Sequence, residues 1–336
     1  MTKPLPATLL ALTALLLMVA IAFVVGRFAV SPGELLTILW AKLTGGPHTL
    51  PATMETVVMQ IRGPRIFAAV LVGAALAAAG ATYQNMFRNP LVSPDILGVS
   101  AGASLGAVLA IFLSLPVLAI QGMAFVGGLV AVGLIYAIGS AVRGRDPILT
   151  LILSGVVIGT LLGSGIALIK YLADPYNQLP AITFWLLGSL ASIAPADVKW
   201  AALSIAVSLV PLYFLRWRIN LLSLSDDEAK ALGVNVTQLR IIVVSCATLM
   251  TAAAVAIAGV IGWIGLVIPH AARMLVGPEF ARLLPVTMLL GATFMLAVDT
   301  VARTFANIEI PPGVLTALLG TPFFIWLLWR TARRQS

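Results

Sequence analysis

The sequence predicts an all-α, polytopic membrane protein with ten transmembrane helices and both termini cytoplasmic. Three observations carry that reading. The chain of 336 residues is 60% hydrophobic and only 10% charged, with a mean hydropathy of +1.07, whereas soluble domains run at roughly 25% charged. Long stretches without Asp, Glu, Lys or Arg recur from end to end. Lys and Arg also partition unevenly between alternate loops. A soluble fold of this length would leave too much apolar surface in water, so lipid is the main solvent. The whole chain, 1–336, then reads as a single transmembrane domain with one long loop at about 216–240.

A crossing needs about 20 mostly apolar residues. Charge-free stretches at 4–26, 66–87, 96–142, 147–169, 200–215, 241–272, 283–298 and 310–329 supply the spans. The run from Pro4 to Gly26 is long for the core of a signal peptide, although "AIA" (Ala20 to Ala22) loosely fits a cleavage site; it is read as a span. The 47 residues of 96–142 suffice for two spans, with "SLPVL" (Ser114 to Leu118) as the turn. That makes nine spans, or ten if 241–272 and its continuation fold back.

Positive charge arbitrates, because Lys and Arg favour cytoplasmic loops. With ten spans and the N-terminus inside, 13 cations lie inside: Lys3, Arg88, Arg143, Arg145, Arg216, Arg218, Lys230, Arg240, Arg273, Arg282, Arg330, Arg333 and Arg334. Seven lie outside: Arg27, Lys42, Arg62, Arg65, Lys170, Lys199 and Arg303. Nine spans give 9 inside and 11 outside. Ten spans is the better reading. It requires a turn near "GVIGWIG" (Gly259 to Gly265). "GWIGLVIPHAARMLVGPE" (Gly262 to Glu279) then holds a short eighth span, interrupted by Pro269. His270 and Arg273, one turn apart at its inner end, are expected to satisfy backbone or loop groups. The net charge of +8 belongs to the loops rather than to nucleic-acid binding.

Glycines recur every four residues at Gly98, Gly102 and Gly106 and at Gly155, Gly159 and Gly163. Small residues at that spacing let helices approach closely in lipid. Such stripes either pack a compact bundle or line a path, and the sequence leaves both open. Asp299 is the clearest ionisable group within a span, and Arg303 four residues later is its expected ion-pair partner.

Several functions are disfavoured. No phosphate-binding loop exists, since none of the five lysines follows a glycine, so the chain binds no nucleotide by that route. The two histidines, His48 and His270, and the single Cys246 are poor material for a metal site. No nucleophile–base pair indicates an intramembrane enzyme. Few buried acids argue against an ion-coupled secondary carrier, the competing transport class.

The long loop reads "RWRINLLSLSDDEAKALGVNVTQLR" (Arg216 to Arg240). Ser225, Asp226, Asp227 and Glu228 form an S-x-x-E capping box, with Gly233 a natural C-cap. A second short helix is expected from Asn235 or Thr237. The element is either an ordered connector or a docking piece for a separate motor subunit.

At these residues the chain resembles the FecCD-type permeases, the membrane subunits of ABC importers for iron–siderophore complexes, haem and cobalamin. The resemblance runs from about Gln60 to Leu328. It is carried by "IRGPRIFAAVLVGAALAAAGATYQNMFRNPLVSPDILGVSAGA", "FWLLGSL", "LLSLSDDEAKALGV", "GVIGWIGLVIPHAARMLVGPEFARLLP" and "DTVARTFANIEIPPGVLTALLGTPFFIWLL". It implies a multi-pass protein of a prokaryotic cytoplasmic (inner) membrane, working as a type II importer. The expected substrate is an iron(III)–siderophore complex, with haem or cobalamin as alternatives. Expected partners are a second permease subunit, identical or paralogous, two ATP-binding cassette subunits that carry the ATP, and a periplasmic or surface-tethered binding protein. No cofactor is expected on the chain itself. By motif, Arg62, Arg65 and Arg303 match residues that meet acids of the binding protein. Asn89 and Leu91 match a cytoplasmic gate, with Pro147 to Leu149 at the position of a second. Ser225, Asp226, Asp227, Glu228, Ala229, Leu232 and Gly233 match the segment that couples to the ATPase.

Overall fold

A computed structural model describes residues 4–47, 49–141 and 147–332, all of them helical or connecting. Lys3, His48, Arg143, Arg145, Arg333 and Arg334 lie outside the described residues, as do the side chains of Pro147, Ile148 and Arg330. The helices are α1 (Pro4–Val24), α2 (Pro32–Thr44), α3 (Ala52–Thr56), α4 (Gly63–Met86), α5 (Val99–Phe112), α6 (Val117–Ala141) and α7 (Pro147–Leu172). They continue as α8 (Gln178–Leu187), α9 (Pro195–Leu221), α10 (Asp226–Ala231), α11 (Val236–Ala258), α12 (Ile264–Val276), α13 (Phe280–Thr304) and α14 (Pro312–Ala332). A π-helical segment, Val57–Arg62, joins α3 to α4 without a break. Among the described residues, seven helical stretches are long and apolar enough to cross a membrane, and four shorter apolar helices accompany them.

α4 is the axis of the bundle. It is buried along most of its length and packs against α9, α11, α12 and α13. Its small residues allow this. A Cβ on Gly73 would lie 2.2 Å from the Gly291 carbonyl oxygen of α13, and one on Gly80 would lie 1.9 Å from that of Gly265 in α12. Neither site admits even a methyl group. Tyr83 adds a buried polar link, its hydroxyl 3.0 Å from Thr248 Oγ1 on α11.

The two glycine stripes have different fates. On α5, Gly102 and Gly106 face the backbone of α6, at 2.4 Å from the Gly127 oxygen and 2.0 Å from the Met123 oxygen for an added Cβ. On α7, Gly155 abuts Ile96, but Gly159 and Gly163 have nothing within 4 Å. One stripe packs the bundle, and the other presents a smooth outer face.

The connections bear out two expected turns. α5 ends at Phe112 and α6 begins at Val117, around "SLPVL". The 241–272 run breaks between Ala258 and Ile264, where Gly259 has φ +69° and Trp263 φ +71°. A Cβ at Gly259 would sit 2.4 Å from the Trp185 oxygen, so glycine meets both a conformational and a steric demand. Ser189 N–H donates to the Ala258 oxygen at 2.8 Å, satisfying one carbonyl at this break. Two elements differ from expectation. α8 lies in a charge-free run, 175–196, to which no helix had been assigned. The second short helix after Gly233 does not form. Asn235 instead caps the long α11 directly, its Oδ1 accepting the Gln238 N–H at 3.0 Å.

Candidate functional site

Two ionic clusters mark the two ends of α4, about 35 Å apart at 1.5 Å per residue from Arg65 to Arg88. The first forms where the start of α4 meets the ends of α1 and α13. Arg65 Nε donates to both oxygens of Asp299, at 3.0 and 3.1 Å. The other side of the same guanidinium donates to Glu309, Nη1 to Oε1 at 2.9 Å and Nη2 to Oε2 at 3.0 Å. Arg65 is therefore forked between two carboxylates, the geometry that makes Arg pairs strong.

Asp299 was expected to pair with Arg303. The Arg303 Nε stands 3.8 Å from Asp299 Oδ2 and makes no hydrogen bond, so Arg65 is the principal partner. The physical reason is orientation: Arg303 Nη2 turns to the Ala22 carbonyl at the end of α1. Arg62 likewise donates to the carbonyls of Phe23, Val24 and Phe28. These carbonyls lie at and just beyond the end of α1, where no further helical turn satisfies them. The three arginines expected to face a binding protein are thus mostly buried, with exposures of 4% (Arg62), 8% (Arg65) and 8% (Arg303). The cluster holds three cations and two anions. Glu309 is its most exposed carboxylate and was missed from sequence. The available signal was one acid alone within "TFANIEIPPG", beside an apolar span.

The second cluster joins the end of α4 to α10 and α11. Ser225 and Glu228 form the expected capping box, Ser225 N–H donating to Glu228 Oε2 at 2.8 Å and Glu228 N–H to Ser225 Oγ at 3.3 Å. Gly233 follows with φ +80° and donates to the Lys230 oxygen at 2.9 Å. Asp226 accepts from Arg240 Nη1 at 2.9 Å and Nη2 at 2.7 Å, and from Arg88 Nη2 at 3.2 Å. The bonds from Arg240 hold the Asp226 carboxyl below its usual range, with Arg88 and Lys230 adding to the effect. Ser225 does the same for Glu228. Ala229 is the buried residue of α10, whereas Asp227, Leu232 and Gly233 are exposed.

Arg88 itself has φ +53°, a left-handed conformation uncommon for a side-chain-bearing residue. It immediately precedes Asn89, whose Oδ1 accepts the Leu91 N–H at 2.9 Å, and both Asn89 and Leu91 are exposed. The candidate gate turn is therefore linked to α10 through one ion pair, Arg88–Asp226.

Pro269, His270 and Arg273 resolve into a structural device. Pro269 has no N–H, so the Gly265 carbonyl four residues earlier loses its helical partner. Gln84 Nε2 donates to that oxygen and to the Leu266 oxygen, each at 3.3 Å. Arg273 Nη2 donates to Gln84 Oε1 at 2.6 Å and fixes the amide. Arg273 thus satisfies a side chain of α4 rather than the expected backbone or loop group, and His270 Nδ1 is buried without a hydrogen-bond partner. Nearer the other end, a cleft of about 430 Å³ opens where the α5–α6 turn, α8 and the end of α11 meet. Gln121, Gln178, Trp185 and Ser189 are among its lining residues.

A many-helix apolar bundle carrying a capped polar element between two long helices has the form of a membrane permease. The FecCD transport family model matches residues 14–330. The chain belongs to that family of ABC-transporter permease subunits. It is 40% identical over 329 residues to the molybdate import permease MolB of Haemophilus influenzae, covering 98% of this chain and 97% of that protein. It is 40% identical over 290 residues to the hemin transport permease HmuU of Yersinia pestis, covering 83% and 84%. A solved structure described as a metal-chelate type ABC transporter in an inward-facing conformation superposes with a TM-score of 0.87 at 37% identity, covering 96% of this chain and 98% of that one.

Proposed function

We propose that the chain is the permease subunit of an ATP-driven importer that carries an iron(III) chelate of the siderophore class across a prokaryotic cytoplasmic membrane. In this reading the seven long spans and α5, α12 and α14 make ten crossings with both termini cytoplasmic. α10 docks in a separate ATPase subunit, presenting exposed Leu232 and Asp227. ATP is bound and hydrolysed there. The open Gly159 and Gly163 of α7 give a close-approach face for a second permease subunit. A binding protein delivers the substrate at the Arg62, Arg65 and Arg303 end, and Asn89 and Leu91 belong to the cytoplasmic gate.

The observation that carries this reading is the Arg88–Asp226 bond, which joins the gate turn to the element offered to the ATPase. A molybdate-type oxyanion is the second reading, favoured by the near full-length similarity to MolB. Reconstitution in liposomes with the ATPase and binding protein tests both. Uptake of a ferric chelate that needs all components and ATP is expected. Uptake of molybdate alone would replace the substrate, and uptake driven by an ion gradient without the ATPase would sink the importer reading.

A further inference from the structure

We propose that Glu309 is a built-in surrogate for the carboxylate of the docking partner. It occupies Arg65 while the partner is absent and is exchanged for a partner acid on docking. This rests on the reading that the Arg65 end receives an acidic surface of the binding protein.

Four observations support the exchange. Arg65 serves two carboxylates that differ in permanence. Asp299 is fully buried, in the body of α13. The Glu309 side chain is 34% exposed and lies in the non-helical segment between α13 and α14. Only Glu309 is placed to leave without opening the bundle.

The segment around it is lightly held. Ile310 N–H donates to the Ala302 oxygen at 3.1 Å, and Arg27 Nη2 donates to the Ala306 oxygen at 2.9 Å. Phe305 and Ile308 are among its most exposed residues, at 77% and 81%. Both apolar side chains precede the acid in this segment, by four residues and by one, and stand free to meet a protein surface.

The charge count favours an incoming anion. Arg65 pairs with Asp299 and Glu309, whereas Arg62 and Arg303 spend their hydrogen bonds on backbone carbonyls, so these three cations outnumber the two anions by one. That excess draws an acid toward the cluster. Swapping one carboxylate for another then keeps Arg65 paired throughout, whereas leaving it unpaired in a buried site would be costly.

The exchange also has a direction. Glu309 lies three residues before Pro312, the first residue of α14. Releasing it frees the connection between α13 and α14, so docking is transmitted to the last span.

The proposal predicts the sign of a substitution. A site closed by its own surrogate binds with an affinity reduced by the closed fraction. Glu309→Gln removes the competitor's charge and is expected to tighten binding of the cognate binding protein to the reconstituted transporter by about tenfold. Glu309→Asp, charged but too short for the forked contact, should fall between the two. In the unsubstituted protein, amide exchange at Ile310 should accelerate when the binding protein docks. Unchanged or weaker binding by Glu309→Gln, in protein of unaltered melting temperature, would overturn the surrogate role. The docking reading has its own control: binding to the unsubstituted transporter should weaken with added salt. Salt-independent binding would sink that reading, whatever Glu309→Gln does.

Discussion

Arg65 and Asp226 each bond two oppositely charged side chains, at opposite ends of the same helix, yet they do different work. Arg65 is buried and bonds carboxylates 234 and 244 positions away from it in the chain. Asp226 lies at the rim, its side chain 33% exposed, and its bonded cations Arg240 and Arg88 are 14 and 138 positions away. Coulomb attraction is strong in the first setting and screened in the second. The first cluster is therefore a fold determinant and the second an adjustable link. Burial, more than bond count, decides which role an ionic cluster takes.

The sharpest way to break this contrast is Arg65→Ala. It strands Asp299 as a buried, poorly compensated charge and should cost about 3–5 kcal/mol, read as a large fall in melting temperature of the purified protein. A loss below about 1 kcal/mol would place this cluster with surface pairs. Arg65→Lys keeps the charge but not the fork. It should recover only part of the loss, leaving a deficit of about 2 kcal/mol.

Asp226→Asn should change stability by less than about 1 kcal/mol. Its effect should appear in function, as severalfold less substrate moved per ATP hydrolysed, because Arg88 loses its charged partner. Equal loss of transport and ATPase activity would indicate a docking defect instead.

The smallest effect is a pH dependence. The Asp226 and Glu228 carboxyls are held below their usual range, so each contributes stability above its unfolded-state value, near pH 4. That contribution is lost as pH falls through the folded-state values. The protection of α10 amides, relative to their intrinsic exchange rate at each pH, should therefore fall only on acidification below about pH 4, and should hold steady between pH 6 and 8.

Much of the fold was legible because its signals are local. Charge-free runs gave most of the spans, the S-x-x-E pattern gave the α10 cap, and Gly259 with the following glycines gave the break before α12. What stayed hidden depends on contacts between distant segments. Asp299 and Arg303 share a helix face at i,i+4 spacing, so they looked like the pair. Only packing of α4 on α13 brings Arg65 closer. The stripes of α5 and α7 look alike in sequence, and only the neighbour, α6 or open space, separates their uses. α8 lies in a run as free of charge as the others, but with 10 residues it is too short for a crossing and escapes a count of spans. Pro269 was legible as an interruption, but its rescue by Gln84 and Arg273 needed the α4–α12 crossing to be known.

The long separation within the Arg65 cluster bears on how the chain is made. Synthesis runs from the N-terminus, so Arg65 emerges 234 residues ahead of Asp299 and 244 ahead of Glu309. Until then its guanidinium has neither carboxylate and must stay solvated, since burying it unpaired would be costly. The start of α4 can thus close into its buried site only after the C-terminal third has joined it. A nascent chain halted before α13 carries an exposed mark of its own incompleteness, and assembly of the first half is complete only when the last half arrives.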